Sequence, residues 1–431
     1  MTSSRRHWNT VRGLGTLWPA LAFGAVFALT VVTTRSAQAQ TFTVIHNFTG
    51  GQDGANPQAG LTMDEAGNLY GTANGGGSLT CNAPNGCGTV YRLQHKGAGW
   101  IFNPLYSFIA GSDGANPLAR VVFGSNGALY GTTDQGGSSC FGLGCGTVFK
   151  LQPPSTACKT ALCPWTETVL YRFIGGSDGA APGLGDLTFD QAGNIYGTTV
   201  FGGSSNNIGT VYELTPSNGG WAESVLYSFT GGSDGGNPYS GVTFYRGASL
   251  YGTTYFGGQS SNGVVFQLTP SGSSWTESVV NTFRNGSDGA YPIAGLISDP
   301  SGTLYGATIS GGSGGGGTVF KLTPSGGGWT YSLVYSFTGH ATCGPWGNLV
   351  LDGTGNLYGT TNCDGTNQLG SVFKLTPSGG SWTYTSLHDF TGGSDGEYPY
   401  CNVVVDTKGN LYGSTYAGGS QNVGVIWEIT P

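Results

Sequence analysis

A seven-residue phrase that recurs along the whole chain constrains the fold more than any other feature of the sequence. Residues 355–361 read GNLYGTT, and close variants include GNLYGTA at 67–73 and GNIYGTT at 193–199. The tyrosines of the seven copies are Tyr70, Tyr130, Tyr196, Tyr251, Tyr305, Tyr358 and Tyr412. Their spacings of 60, 66, 55, 54, 53 and 54 residues define a period that is typical of a repeat architecture.

Each copy contains four short runs with strand character. In the fifth copy they are GLISD (295–299), TLYGAT (303–308), GTVFKLTP (317–324) and WTYSLVYSF (329–337), separated by turn residues. The 81 glycines, 12% aromatic and 9% charged residues fit many tight turns between aromatic strands, and not a disordered chain. We predict an all-β fold, a seven-bladed β-propeller with four strands a, b, c and d in each blade.

The two ends of the propeller region complement each other. The last copy stops after its third strand, VGVIWEITP (423–431), and a fourth-strand sequence, TFTVIHNF (41–48), precedes the first copy. We expect this N-terminal strand to complete the last blade and close the ring, because closure removes an exposed sheet edge.

The repeated phrase is interpreted as part of the frame. Its Gly-Asn pair suits the a–b hairpin turn, where positive φ favours these residues, and its tyrosine should pack between neighbouring blades. Six tryptophans open strand d in the same register: Trp100, Trp165, Trp221, Trp275, Trp329 and Trp382. Blade packing is the preferred explanation of this series, and carbohydrate binding is the alternative.

Residues 1–39 differ from the rest and read as a signal peptide that is cleaved before Gln40. A basic start is followed by an apolar stretch at about 14–32 and a small-residue cleavage pattern, AQA, at 37–39. A retained membrane anchor is the alternative, and the SRR at 4–6 leaves Sec and twin-arginine export open. Cleavage removes four arginines and changes the net charge from −7 to −11. Nucleic acid is therefore not an expected partner of the domain at 40–431.

Three phrases in tandem, GNLYGTT, GTVFKLTP and VLYSFTGGSDG, resemble the Gloeo_Verruco (GloVer) tandem-repeat family over nearly all of residues 41–431. The resemblance implies an exported bacterial protein with a propeller-like fold, and it brings no established activity. Many members end in an anchoring segment, whereas this sequence ends at Pro431. We therefore expect a monomer, without stable membrane insertion after cleavage, that is secreted, periplasmic or on the cell surface.

The nine cysteines all follow the leader, and eight of them are disulfide candidates. Three close pairs lie in copies with long loops, and a fourth pair should emerge on one face of the sixth copy: Cys81 and Cys87, Cys140 and Cys145, Cys158 and Cys163, Cys343 and Cys363. An oxidising compartment favours disulfides in such loops. Metal binding is the alternative, although CxxC spacing and histidine companions are missing. Cys401 is left over.

The loops between strands d and a carry a second repeated phrase, of the type GSDGxxP. Its aspartates are Asp53, Asp113, Asp178, Asp234, Asp288 and Asp395. Six carboxylates around one face could bind Ca²⁺, which prefers oxygen ligands. An Asp–Gly turn, in which the carboxylate caps its own backbone, accounts for the same pattern. We favour the turn, and we expect no cofactor.

Positions at which the copies differ are better candidates for a specific site than positions that all copies share. The copies align on the proline before strand a, and the residues after it should ring the mouth of the channel. Seven of them are aromatic, charged or amide residues: Arg120, Asp186, Tyr239, Trp346, Asn348, Tyr400 and Asn402. Such a set suits a sugar or another polar small molecule. The alternative is that these side chains plug the channel.

Catalytic signatures such as HExxH or a Walker loop do not occur in the sequence. We expect a non-catalytic binding or scaffold module for a glycan, a cell-surface polymer or a surface protein. The alternative is a polysaccharide-active enzyme at the channel mouth. A glycosidase needs two carboxylates, here Asp186 and Asp364, and a lyase could use Tyr239 or Tyr400 as base beside Arg120. A purely structural surface protein is the third reading.

Overall fold

Seven four-stranded antiparallel sheets make up the described part of the chain. The computed structural model describes residues 40–431 except 82–84, 98, 139, 141, 155–164, 204–205, 246 and 248. The expected signal peptide therefore lies outside the described residues. Residues 40–431 form one compact unit, and none of its described residues belongs to a helix that is long and apolar enough to cross a membrane.

Each sheet is one blade, in which a short inner strand a is followed by b, c and the outer strand d. The strands of blades 1 and 2 are β2 Thr62–Met63, β3 Leu69–Ala73, β4 Thr89–Lys96 and β5 Gly99–Ser107, then β6 Val122–Phe123, β7 Leu129–Thr133, β8 Thr147–Gln152 and β9 Thr166–Arg172. Blades 3 and 4 contain β10 Thr188–Phe189, β11 Ile195–Thr199, β12 Thr210–Ser217 and β13 Gly220–Ser228, then β14 Thr243–Tyr245, β15 Ser249–Thr254, β16 Val264–Ser271 and β17 Ser274–Thr282.

The strands of blades 5 and 6 are β18 Ile297–Ser298, β19 Leu304–Thr308, β20 Thr318–Ser325 and β21 Gly328–Ser336, then β22 Val350–Leu351, β23 Leu357–Thr361, β24 Ser371–Ser378 and β25 Ser381–Asp389. Blade 7 contains β26 Val404–Val405, β27 Leu411–Thr415, β28 Val425–Thr430 and, from the start of the chain, β1 Thr41–Asn47.

The first strand of the chain closes the ring. It pairs with the last strand, with Thr41 opposite Thr430 and Asn47 opposite Val425. Phe48, which follows β1, shares a buried cluster with Leu61 of blade 1 and Tyr412 of blade 7. The predicted propeller and its closure by the N-terminal strand are confirmed, and β1 gives β28 the outer neighbour that the third strand of every other blade has.

The inner strands are shorter than the sequence pattern suggests, since the run GLISD at 295–299 contributes only Ile297–Ser298 to its sheet. The residues before this pair are bonded to the neighbouring blade instead. The hydroxyl of Thr253 in blade 4 donates to the Ala294 carbonyl at 3.0 Å, and Ser414 of blade 7 donates to the carbonyl of Ala59 at 3.1 Å. In five of the seven copies the hydroxyl residue after YG therefore links successive blades.

The rest of the phrase builds the a–b turn, as the copy at 355–361 shows. Gly355 has φ +87°, a region that favours glycine. Asn356 Nδ2 and the Tyr358 hydroxyl donate to Asp352 Oδ2 at 2.7 and 3.1 Å. The aspartates that accept from the tyrosine in this way are Asp64, Asp190, Asp299, Asp352 and Asp406.

Each tyrosine of the phrase is also a seam residue, between 4% and 9% exposed. All of them except Tyr358 lie with the tryptophan that opens strand d of the next blade, as in Tyr251 with Trp329 at 5.5 Å and, across the closing seam, Tyr412 with Trp100 at 5.7 Å between ring centroids. Ring contacts also join Tyr70 with Trp165 and Tyr305 with Trp382. Tyr130 shares a buried cluster with Trp221, and Tyr196 shares one with Trp275. The tryptophan series therefore belongs to blade packing.

Three predicted disulfides are formed. Cys81 is bonded to Cys87, Cys140 to Cys145, and Cys343 to Cys363. The pair Cys158 and Cys163 lies outside the described residues. Cys401 is a free, buried thiol. Three disulfides are typical of a protein that resides in an oxidising compartment.

Candidate functional site at the channel mouth

The seven residues predicted from the proline alignment line one pocket. The pocket lies on the face formed by the d–a and b–c loops, which we call the mouth face. Its free volume is about 60 Å³, enough for roughly four to six water-sized groups. A whole sugar ring does not fit into it, so a larger ligand must lie across the mouth and insert only a substituent.

A polar septum forms the floor of the pocket. Arg120 Nε donates to Asp186 Oδ2 at 2.7 Å, and Asn348 Nδ2 donates to the same oxygen at 3.1 Å. Asn348 Oδ1 accepts from the backbone N–H of Gly295 at 2.6 Å. Side chains from blades 2, 3 and 6 are thus joined across the channel, which agrees with the plug interpretation for this subset.

Glycines at the equivalent positions of three other blades make room for the septum. A Cβ at Gly60 would overlap the Asn402 amide, a Cβ at Gly241 would overlap the backbone of Asp186, and a Cβ at Gly295 would lie 3.1 Å from Asn348 Oδ1. Copies one, four and five therefore supply space, while copies two, three, six and seven supply the polar groups.

A larger cavity lies on the other side of the septum, between the inner strands. Its free volume is about 420 Å³, and it shares Arg120, Asp186, Asn348 and Asn402 with the mouth pocket. The remaining lining comes from later positions of strand a in blades 3–6, such as Val242–Thr243 and Leu349–Leu351. Because strand a runs away from the mouth, this cavity extends toward the opposite face.

Two groups of half-buried aromatic rings flank the mouth. Trp346 meets Tyr400 edge to face at 5.0 Å, and its indole N–H donates to the Thr342 carbonyl at 3.0 Å. On the other side Tyr239 meets Tyr255 edge to face at 5.3 Å. These contacts hold the rings in fixed orientations, so they can serve as platforms for the apolar faces of a ligand.

The two tyrosines considered as catalytic bases have the wrong electrostatics for that role. Burial, reinforced by Tyr255, raises the pKa of Tyr239, and burial, reinforced by neighbouring tyrosines, raises the pKa of Tyr400. A general base needs a pKa near the working pH. Asp364, the second carboxylate considered for a glycosidase, does not line the pocket.

Sequence reasoning missed Asp134, which lies in the b–c loop of blade 2. A Cβ at Gly183, the residue after Pro182, would lie 2.8 Å from the Asp134 Cβ, so this side chain lies against blade 3 next to the mouth. Its charge contributes to the raised pKa of Tyr239. Burial raises the pKa of Asp134 itself to about 6. The signal was available by aligning the copies on the residue after the repeated phrase: Asn74, Asp134, Val200, Tyr255, Ile309, Asn362 and Tyr416.

The aspartates of the GSDG loops cap backbone and side-chain donors. Asp234, for example, accepts from the Thr230 N–H at 2.8 Å, from the Thr230 hydroxyl and from the Tyr227 hydroxyl. Equivalent bonds are made by Asp53, Asp113, Asp178, Asp288 and Asp395. Within the described ranges no three His, Cys, Asp or Glu side chains gather into a group that could hold a metal ion.

Comparisons with known proteins identify the repeat and the fold. The family model described as the Gloeobacter/Verrucomicrobia repeat matches residues 10–169, 143–340 and 249–431. No curated protein matches the sequence.

Two solved structures share the fold at low identity. One is a candidate 6-phosphogluconolactonase from Bacteroides uniformis, with 15% identity, a TM-score of 0.50, and coverage of 86% of this chain and 92% of that chain. The other is a fungal alcohol oxidase in complex with copper, with 14% identity, a TM-score of 0.54, and coverage of 91% and 76%. Similarity at this level shows the propeller fold alone.

Proposed function

This chain belongs to the Gloeobacter/Verrucomicrobia repeat family, and on that premise we propose that it is an exported, non-catalytic binding module that holds a glycan of a surface polymer across its channel mouth. One observation carries the proposal. The side chains at which the seven copies differ converge, from five blades, on a single pocket.

The chemistry of the mouth supports a carbohydrate as the ligand. Trp346 and Tyr400 on one side, and Tyr239 on the other, offer ring faces for the apolar side of a sugar. Arg120 and Asp186 offer charged hydrogen-bonding groups between them, and their side chains remain 32% and 19% exposed. Aromatic platforms around a few polar groups are the usual composition of small-ligand sites.

Binding of the purified protein to a glycan and polysaccharide array tests the proposal. Trp346→Ala should weaken binding at least tenfold, because a buried aromatic anchor typically contributes about 2 kcal/mol or more, while the melting temperature changes little. Lys408→Ala, an exposed change in an a–b loop on the opposite face, is the matched control and should bind normally. Absence of binding to every glycan, or normal binding by Trp346→Ala, would contradict the proposal.

Asp134 supports a second candidate, a polysaccharide-active enzyme. With its pKa raised to about 6, it has the property of a general acid, and Asp186 is a second carboxylate that lines the neighbouring mouth pocket. Release of new reducing ends from a bound glycan, abolished by Asp134→Asn, would favour the enzyme. Binding without product release would favour the module.

A further inference from the structure

The mouth pocket has room for a substituent of definite size. Roughly four to six non-hydrogen atoms fill a free volume of about 60 Å³. A hydroxyl group would leave most of this volume empty, and a pyranose ring exceeds it. This volume best suits a group that is intermediate in size between a hydroxyl group and a pyranose ring.

The floor of the pocket is electrically neutral but offers both kinds of hydrogen-bonding group. Arg120 uses Nε, and Asp186 uses Oδ2, for their mutual ion pair. Among the contacts of the described residues, the terminal guanidinium nitrogens of Arg120 and Oδ1 of Asp186 have no partner. The pocket thus keeps N–H donors beside a carboxylate acceptor.

Apolar side chains surround this polar floor. Leu118, Leu184 and Ile293 line the same pocket. A ligand group that suits the whole site needs one donor, one acceptor and one methyl-sized apolar end. A net charge on it would gain no net attraction, because the attraction of one member of the Arg120–Asp186 pair is offset by repulsion from the other.

Resting on the proposed function, we infer that the mouth recognises an N-acetylated amino sugar through its acetamido group. This group has four non-hydrogen atoms. Its N–H donates to Asp186 Oδ1, its carbonyl accepts from the Arg120 guanidinium, and its methyl group contacts the leucine and isoleucine side chains. The sugar ring stays outside the pocket, against Trp346 and Tyr400.

Isothermal titration with two matched oligosaccharides tests the inference. Chitohexaose and cellohexaose have the same β-1,4-linked backbone and differ only in an acetamido or hydroxyl group at carbon 2. We expect chitohexaose to bind at least tenfold more tightly. The double variant Arg120→Ala/Asp186→Ala, which leaves neither charge unpaired, should lose this preference, whereas Trp346→Ala should weaken both sugars alike and Lys408→Ala should behave as wild type.

The outcomes separate the inference from the proposed function. Equal binding of the two hexasaccharides, or tighter binding of polygalacturonate than of chitohexaose, would overturn the acetamido inference and leave glycan binding in place. Retention of the preference by a folded double variant would overturn it too. If no glycan binds, both the inference and the proposed function fail.

Discussion

The contacts between the outer strands of neighbouring blades, here called seams, differ between two sides of the ring. Equivalent positions, here called the slot, are occupied by different types of side chain. Three seams, the ring arc, stack two side-chain rings from neighbouring outer strands: Tyr335 with Tyr384 at 4.8 Å, His388 with Phe42 at 3.7 Å, and His46 with Phe102 at 4.1 Å between centroids. Three seams between blades 1 and 4, the acid arc, place a tyrosine and a glutamate at the equivalent positions: Tyr106 and Glu167, Tyr171 and Glu223, and Tyr227 and Glu277.

The glutamates of the acid arc have raised pKa values, and the ring arc has no glutamate at this position. Burial, followed by the charge of a GSDG aspartate, raises the pKa of each of the three glutamates to about 7. One carboxylate oxygen of each is buried without a hydrogen-bond partner in the described part of the chain. The same packing position is therefore occupied by a glutamate with a raised pKa on one side of the ring and by a stacked side-chain ring on the other.

The largest predicted effect concerns the buried tyrosine of the repeated phrase, which is present in both arcs. Tyr130 in the acid arc and Tyr358 in the ring arc are both buried, and each has a lysine over its ring. Replacing either by alanine should lower the free energy of unfolding by about 3–5 kcal/mol, the usual cost of deleting a buried aromatic side chain. Urea unfolding of both variants measures it. A large cost in one arc only, or wild-type stability in either variant, would contradict the view that the repeated phrase is a common frame.

Much of this frame was predictable from the sequence because each strand and turn recurs in seven copies, so that an element that is unclear in one copy can be assigned from the others. Seven copies of the turn around Gly355 and Asn356 identify strands a and b, and the orphan strand at 41–48 identifies the closure. The proline before strand a also sets the register of the channel residues, which is why seven predicted side chains converge on one pocket.

Contacts across seams were not predictable, because they join residues that no single copy contains. The sequence shows that one repeat position holds a glutamate in some copies, such as Glu223, and a ring in others, such as Phe102. It does not show the residues that these side chains contact, Asp178 and His46, because those come from the preceding blade. Likewise Asn402 occupies the space over Gly60, an arrangement that the alignment of separate copies cannot show.

A smaller effect should distinguish the arcs by pH. The folded glutamates titrate near 7 and the unfolded ones near 4.5. The folded state therefore binds more protons between these values, and the stability present below pH 4.5 is lost as the pH rises through 7. After allowance for solvent screening of half-exposed groups, we expect a loss of about 1 kcal/mol per acid seam. Urea unfolding at pH 5 and pH 8 measures this difference.

The triple variant Glu167→Gln/Glu223→Gln/Glu277→Gln should remove most of the difference between the two pH values, because an amide does not titrate. Glu65→Gln, at an exposed glutamate of an a–b loop, is the control and should keep it. An unchanged pH dependence in the triple variant would show that the acid arc is not its source.

The smallest predicted effect compares two GSDG aspartates, one next to a glutamate of the acid arc and one next to a tyrosine. Among the described residues, Asp178 is the only charged group that reinforces burial in raising the pKa of Glu223. Asp178→Asn should therefore lower the pH midpoint of the stability change at that seam by a fraction of a unit. Asp288 caps an equivalent loop, through the N–H groups of Arg284 and Gly286, but the next blade places Tyr331 in the slot. Asp288→Asn should therefore cost a similar few tenths to 1 kcal/mol from the lost cap and leave the pH midpoint unchanged. Identical midpoint shifts in the two variants would mean that the aspartates act through general surface charge, and that the acid arc is not a set of local carboxyl pairs.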